Sequence, residues 1–408
     1  MPTVRKQPEG PMAWLPHRLD ILINMDRQKM RLSIPKVGSD MTRAYVRSLA
    51  KNAALEDLWI DGEELEIDVA LTLASALRTN KKLRVLRLRN TQITGFGASC
   101  IFDALKENDT LEELYLERNH IGAYACKSLA AMLKINKKLR VLHINHNPIR
   151  SDGAIAIAEA LPYNTTLKDF CLQQGSLESK AADAIGRMLL KNSGLRILQL
   201  IHTKLTSEDI AVLCRFIEHN GTLEQLVITG SWVQPHAAKA LGHLLQRTTT
   251  LKKLCLWGNT FKNDGVYAIV EGIKENKSLT VLRIMKNQIS DKGAEALVDA
   301  VVGHPTLTEL DLSGNQIKDR GVKALITMLE ENVSIETFGV HGNQITEKQK
   351  ETIKDYTRLN KAGRKLLRQA NMPVASWLET LAKITDDPDL CYYLLRERPD
   401  MFSQLVTV

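Results

Sequence analysis

Aliphatic residues in this chain recur in a fixed frame. In 307–317, LTELDLSGNQI, apolar residues Leu307, Leu310, Leu312 and Ile317 stand at offsets 0, +3, +5 and +10, and a lone amide, Asn315, stands at +8. The frame opens again at Leu55, Leu83, Leu111, Leu139, Leu167, Leu195, Leu223, Leu251, Leu279, Leu307 and Ile335, eleven copies spaced 28 residues apart with no insertion or deletion. A repeat of this length marks an array of stacked supersecondary units. The period-two spacing of +3 and +5 predicts a short strand with one buried face. Aliphatics at +18 and +22, such as Leu129 and Leu133 or Leu297 and Val301, have helical spacing. Small residues at +14 (Gly97, Ala125, Gly153, Gly265, Gly293) precede that helix, where bulk would hold it off the strand. Each copy therefore reads as strand, loop, helix, loop.

The segments LRVLRLRNTQI, LEELYLERNHI, LKKLCLWGNTF and LTELDLSGNQI resemble the leucine-rich repeat family in its ribonuclease-inhibitor-like subtype, across roughly residues 27 to 345. The resemblance implies an α/β fold: a right-handed, horseshoe-shaped solenoid with parallel strands on the concave side and helices on the convex side. It also implies a ladder of amides inside the turns, formed by Asn119, Asn147, Asn259, Asn287, Asn315 and Asn343 at +8. An Asn side chain both donates and accepts, so it can satisfy backbone groups that a buried turn would strand. Gly175, Thr203 and Ser231 replace it in copies five to seven, where local irregularity is expected.

The ends differ from the array. Residues 1–54 form a basic N-terminal cap with a degenerate repeat, in which Met30, Leu32 and Val37 keep the phase; ten Lys/Arg against four Asp/Glu give it a net charge of +6. Residues 346–408 are expected to be a helical tail broken at Pro373, with Trp377 and paired tyrosines covering the last repeat. The tail resembles those of leucine-rich repeat proteins of diatoms and related microalgae. Its net charge is +2, which leaves residues 55–345 neutral within the chain total of +8. Nucleic-acid binding along the array is thereby disfavoured, since phosphate contact needs concentrated positive charge. The basic cap is where an acidic partner would attach.

No stretch approaches a transmembrane helix, and the opening MPTVRKQPEGPMAW does not read as a signal peptide. Five N-x-[ST] matches, at Asn108, Asn164, Asn220, Asn276 and Asn332, all fall at +25, where Asn80, Asn136 and Asn192 occur without the hydroxyl. These amides read as helix caps, and glycosylation is not expected. The six cysteines show no C-x-x-C spacing. Cys171 and Cys255 lie three copies apart, about 14 Å at the ~4.8 Å strand spacing, too far to bridge. A cytoplasmic, reducing setting is expected, as is a monomer.

No P-loop, G-x-S-x-G or H-E-x-x-H motif is present. His143 and His146 form H-x-x-H beside His120, but strand geometry makes the rings converge poorly, so neither a metal nor a cofactor is expected. Function is therefore expected on the concave face, at +2, +4 and +6. That face offers Trp59, Arg87, Arg89, Tyr115 and His143 in the early copies. In later copies it offers an exposed apolar stripe of Ile197, Ile201, Val227, Cys255, Trp257 and Met285 flanked by Lys253 and Arg283, with Trp257 and Arg283 level on adjacent strands. Trp and Arg dominate interfaces, and exposed apolar patches mark binding. The expected function is a non-enzymatic protein-binding scaffold that takes a protein partner on the concave face. The alternatives are a regulator of a small GTPase resembling Ran GTPase-activating proteins, or a sensor module related to nucleotide-dependent immune receptors.

Overall fold

The structure is a computed structural model that describes residues 29–32, 39–62, 64–173, 177–231, 233–362, 364–367 and 382. The basic residues before position 29, the loop with Gly175, and the helices expected beyond Pro373 lie outside the described residues. The chain divides into two compact units, Met1–Leu205 and Thr206–Val408.

In the first unit the strands are β1 (Lys29–Leu32), β2 (Asp57–Asp61), β3 (Val85–Arg89), β4 (Glu113–Tyr115), β5 (Val141–His143), β6 (Asp169–Gln173) and β7 (Ile197–Ile201). They alternate with helices α1 (Ser39–Leu49), α2 (Ile67–Thr79), α3 (Gly95–Leu105), α4 (Ala123–Ile135), α5 (Arg150–Ala160) and α6 (Ser179–Lys191), with a short 3-10 turn at Leu161–Tyr163. Each strand pairs in parallel with the next in a strict 28-residue register: Met30 with Leu58, Leu58 with Leu86, Leu86 with Leu114, and so on to Phe170 with Leu198. Strand β1 and helix α1 precede the eleven copies, with Val46 and Leu49 of α1 buried; Val37 lies outside the described residues.

The second unit repeats the plan. Strands β8 (Gln225–Thr229), β9 (Lys253–Cys255), β10 (Val281–Arg283), β11 (Glu309–Asp311) and β12 (Thr337–Gly339) pair in parallel, again 28 residues apart. Before, between and after them come α7 (Ser207–Ile217), α8 (Pro235–Arg247), α9 (Lys262–Glu275), α10 (Asp291–Val301), α11 (Asp319–Glu331), α12 (Glu347–Ala362) and the short α13 (Arg364–Leu367). Helix α12 buries Ile353 and Leu359. Arg364, 1% exposed, turns its guanidinium onto the carbonyls of Leu329 and Glu330 at the end of α11, at 3.0 and 2.7 Å. A buried cation is tolerated there because it meets the negative end of a helix.

Two amide ladders hold the turns. In the first, Asn119 Nδ2 donates to Leu88 O at 2.8 Å, and its Oδ1 accepts from the Thr91 and Ile93 N–H groups at 3.1 and 3.2 Å. Asn147, Asn259, Asn287, Asn315 and Asn343 reach the carbonyl 31 residues earlier in the same way. Thr203 and Ser231 are buried in that row with hydroxyls that find no partner among the described residues, so they do not replace the amide's bonds.

The second ladder corrects the expectation for the +25 asparagines. They are more than local helix caps. Asn164 Nδ2 crosses to Leu133 O and Asn136 O of the preceding turn, at 2.8 and 3.1 Å, while Oδ1 accepts from the N–H groups of Thr166 and Leu167 at 3.1 and 2.8 Å. Asn80, Asn108, Asn136, Asn192, Asn276 and Asn332 make the same crossing.

The small +14 residues also have a different cause from the one expected. A Cβ on Gly153 would stand 2.7 Å from Ile149 Cγ2 and 2.9 Å from Cys126 Sγ in the preceding helix, so the constraint is the neighbouring helix and loop rather than the strand. Helices α8 and α9 approach so closely that a Cβ on Gly272 would run into the carbonyl of Gly242.

Candidate protein-binding faces

Alternation along each strand sends Leu58, Leu86, Leu114 and their equivalents into the core and leaves their neighbours on the open strand face. In the first unit that face carries a connected side-chain row. Trp59, Arg87, Tyr115, His143, Cys171 and Gln199 are successive register partners. The Arg87 guanidinium is ion-paired with Asp57, lies 3.7 Å from Glu113 Oε2 and sits 4.8 Å over the Tyr115 ring. Tyr115 Oη donates to Glu113 Oε2 at 2.9 Å, and burial together with that carboxylate pushes its pKa up to about 12. The His143 ring meets Tyr115 edge-on at 4.9 Å, with Nε2 3.2 Å from Asp169 Oδ2, and Gln199 donates to the other oxygen of Asp169 at 3.0 Å. Arg89 lies 3.9 Å from Glu117.

Trp59, Arg87, Arg89, Tyr115, His143, Ile197 and Ile201 are all half-buried on this face, as their register requires. The arginines, read from sequence as surface cations, are held by carboxylates on neighbouring strands. The carboxylate beside His143 is Asp169, one turn on. No group of three metal-binding side chains occurs among the described residues.

In the second unit Val227 departs from expectation. It is 6% exposed, as is Cys255, its register partner. Short side chains between longer ones on strands ~4.8 Å apart sink into a furrow that their neighbours close over. The apolar stripe is therefore not continuous at the surface. Half-buried Trp257 and Met285 remain, with exposed Lys253 and Arg283. The levels also shift by one step: Arg283 is in register with Cys255, whereas Trp257 lies beyond the end of β9, where Gly258 N–H donates to Met285 O at 2.9 Å. Lys286 Nζ sits 6.0 Å from the centre of the Trp257 ring. Arg283 Nε bonds Glu309 Oε1 at 2.5 Å, which raises the arginine's pKa further.

Lys286, Glu113 and Asp169 are among the participants that sequence reading did not single out. The acidic pair stands at the +2 positions beside the chosen +4 residues, so opposite charges on adjacent strands were the available signal.

The thiols on these faces are inert. Burial pushes Cys171 up to about 12 and raises Cys255, so both stay protonated.

Strand–turn–helix units in a constant 28-residue register, with asparagine ladders in their turns, make a leucine-rich-repeat solenoid-like fold of the α/β class. Comparison with protein families agrees: the TMOD/LMOD leucine-rich domain matches residues 231–361, and a leucine-rich repeat family matches residues 79–102 and 136–158. Nothing among the curated proteins matches. Among solved structures, an internalin from Listeria monocytogenes is similar at 18% identity and a TM-score of 0.44, covering 81% of this chain and 84% of that one. Actin-binding site 2 of leiomodin-1 is similar at 22% identity and a TM-score of 0.34, covering 38% of this chain and 88% of that one. Similarity at this level says nothing about what the chain binds.

Proposed function

We propose that the chain is a non-enzymatic scaffold that holds a protein partner on its strand faces, the side expected to be concave. The observation that carries this reading is the row from Asp57 through Arg87, Tyr115 and His143 to Asp169, whose half-exposed aromatic and charged groups are fixed in place by one another. Side chains already held in one conformation lose little entropy on binding, and Arg and Tyr in such a setting are the residues that most often anchor interfaces. Trp257 and Met285, with Lys286 against the ring, offer a second anchor in the other unit. The free, buried thiols fit a reducing compartment such as the cytoplasm.

The test is affinity capture on the wild-type chain and on Tyr115→Ala and Trp257→Ala variants, with hits identified by mass spectrometry and then measured in purified form. The reading requires a direct partner whose binding weakens in at least one variant. A small GTPase whose hydrolysis the chain accelerates would replace it with the regulator reading. A partner equally well bound by both variants would remove the strand faces from consideration.

A further inference from the structure

On the first unit, the C-terminal ends of α4 and α6, the 3-10 turn at Leu161–Tyr163 and the loops leading into β5, β6 and β7 bring two kinds of side chain to one edge. The first is apolar and exposed: Ile135, Tyr163 and Leu190, at 55, 66 and 48%, come from three successive turns. The second is cationic. Lys134, Lys137, Lys138 and Arg140 come from the first turn. Lys168, Lys191 and Arg196 follow from the next two, and residues 134–140, 162–168 and 190–196 contain no Asp or Glu.

The rows are built into the backbone register. Lys168 N–H donates to Arg140 O at 2.7 Å and Arg196 N–H to Lys168 O at 2.9 Å, so three cationic residues stack at the ~4.8 Å strand spacing. Lys137 Nζ reaches across to Tyr163 O at 3.0 Å, and Lys134 Nζ lies 5.6 Å over the Tyr163 ring. Lys138 is drawn to Glu112 of the preceding turn at 3.1 Å. Burial lowers the pKa of Lys168, and the charges of Arg196 and Arg140 lower it further, the signature of like charges brought together.

Glu112 offsets part of this charge at the first turn; the net cationic edge still attracts an anionic surface, and three exposed apolar side chains on the same edge are a binding feature. Together they match an interfacial membrane contact, where apolar side chains enter the headgroup layer and Lys/Arg hold lipid phosphates. Tyr favours that layer. The aliphatic Ile135 and Leu190 argue against a single-stranded nucleic acid, whose bases call for aromatic platforms.

We propose that this edge docks the chain onto an anionic phospholipid bilayer, with Ile135, Tyr163 and Leu190 entering the headgroup layer. The attachment is peripheral, since no described helix is long and apolar enough to cross a membrane.

Flotation of the full chain with phosphatidylcholine vesicles, with and without phosphatidylserine, tests this. The chain should float with the phosphatidylserine vesicles alone, and added salt should release it. Lys137→Glu, Arg140→Glu and Lys191→Glu combined, all at exposed positions, should lower the affinity at least about tenfold. Ile135→Ser with Leu190→Ser, charges intact, should weaken it independently, and Lys277→Glu in the second unit should not. Circular dichroism melts establish that each variant is folded. Absence of flotation with phosphatidylserine, undiminished binding by both multiple variants, or retention on single-stranded DNA or an acidic polypeptide without vesicle binding would each overturn the proposal.

Discussion

His304 Nδ1 accepts the backbone N–H of Leu307 at 3.0 Å, standing in the second ladder where most other turns place an asparagine. It also accepts from Thr306 N–H at 3.3 Å. The acceptor role requires a neutral ring, and burial, opposed by the Ile273 carbonyl, lowers the pKa from the ordinary value of 6.5. Below that ordinary value the unfolded chain takes up a proton that the folded chain refuses, so this contribution is complete near neutrality and is lost as pH falls toward the depressed value. We expect His304→Asn to abolish that acid-sensitive part. Denaturant melts at about pH 7.5 and about pH 5.5 should show a wild-type loss of stability that the variant lacks in part. Identical losses in both would remove the ladder role from His304.

The frame itself makes a quantitative prediction. Leu256 is completely buried, and Leu256→Ala should cost about 2 to 5 kcal/mol. Asn259 donates to Ile228 O and Leu256 O, at 3.0 and 2.7 Å, and accepts from Ser231 N–H at 2.9 Å. Its replacement by Ala should cost roughly 1 to 3 kcal/mol by leaving those groups unsatisfied. Asn164→Ala should fall in the same range, because its amide ties two carbonyls of the preceding turn to its own. Equilibrium unfolding in urea measures all three, and a wild-type midpoint for Asn164→Ala would reduce the second ladder to decoration.

How the ladder asparagines were misjudged shows where sequence reading stops. The 28-residue period fixed which residues face inward, so strands, helices and the +8 amides were readable before any coordinates. The +25 amides gave the same recurrence, yet a cap and a cross-turn ladder leave identical sequence patterns. Only the stacking distance shows that Asn108 Nδ2 reaches Leu77 O at 2.6 Å. The faces were legible in the same partial way. Alternation placed Val227 on the strand face opposite Leu226, but its burial depends on the length of neighbouring side chains, and the carboxylates of Asp57 and Glu113 that hold Arg87 meet it only across strands.

Burial also bears on chemical modification. The amides of Asn108, Asn164, Asn276 and Asn332 are committed to carbonyls within the solenoid, so a glycan could not be carried there without breaking the ladder. Glycosidase treatment of protein from its native source should leave its mobility unchanged. The five described cysteines are free; Cys126, Cys171, Cys214 and Cys255 are buried and Cys100 is partly exposed. Brief labelling of the native chain with a thiol reagent should therefore modify Cys100 among these five, and all five should react only after unfolding. Rapid labelling of Cys214, whose burial pushes its pKa up to about 12, would contradict the packing around α7.

The strand-face reading stands or falls on two substitutions made against one control. Arg283→Glu, attractive from sequence, is a poor probe: it would set a carboxylate beside Glu309 and disturb stability as well as binding. Trp257→Ala is cleaner, since the ring follows β9 on the open side, half-buried beside Lys286. A tryptophan that anchors a partner typically costs 2 kcal/mol or more on truncation, roughly thirtyfold in affinity. Tyr115→Ala removes the ring that links Arg87 to His143 and should weaken a partner seated on the first unit. Lys274→Glu, on helix α9 and paired only with Glu271 of the same helix among the described contacts, is the control and should bind normally. Titration calorimetry with the purified partner gives the affinities. If Lys274→Glu abolishes binding while both aromatic variants bind like the wild type, the partner sits on the helical side and the strand faces are scaffold alone.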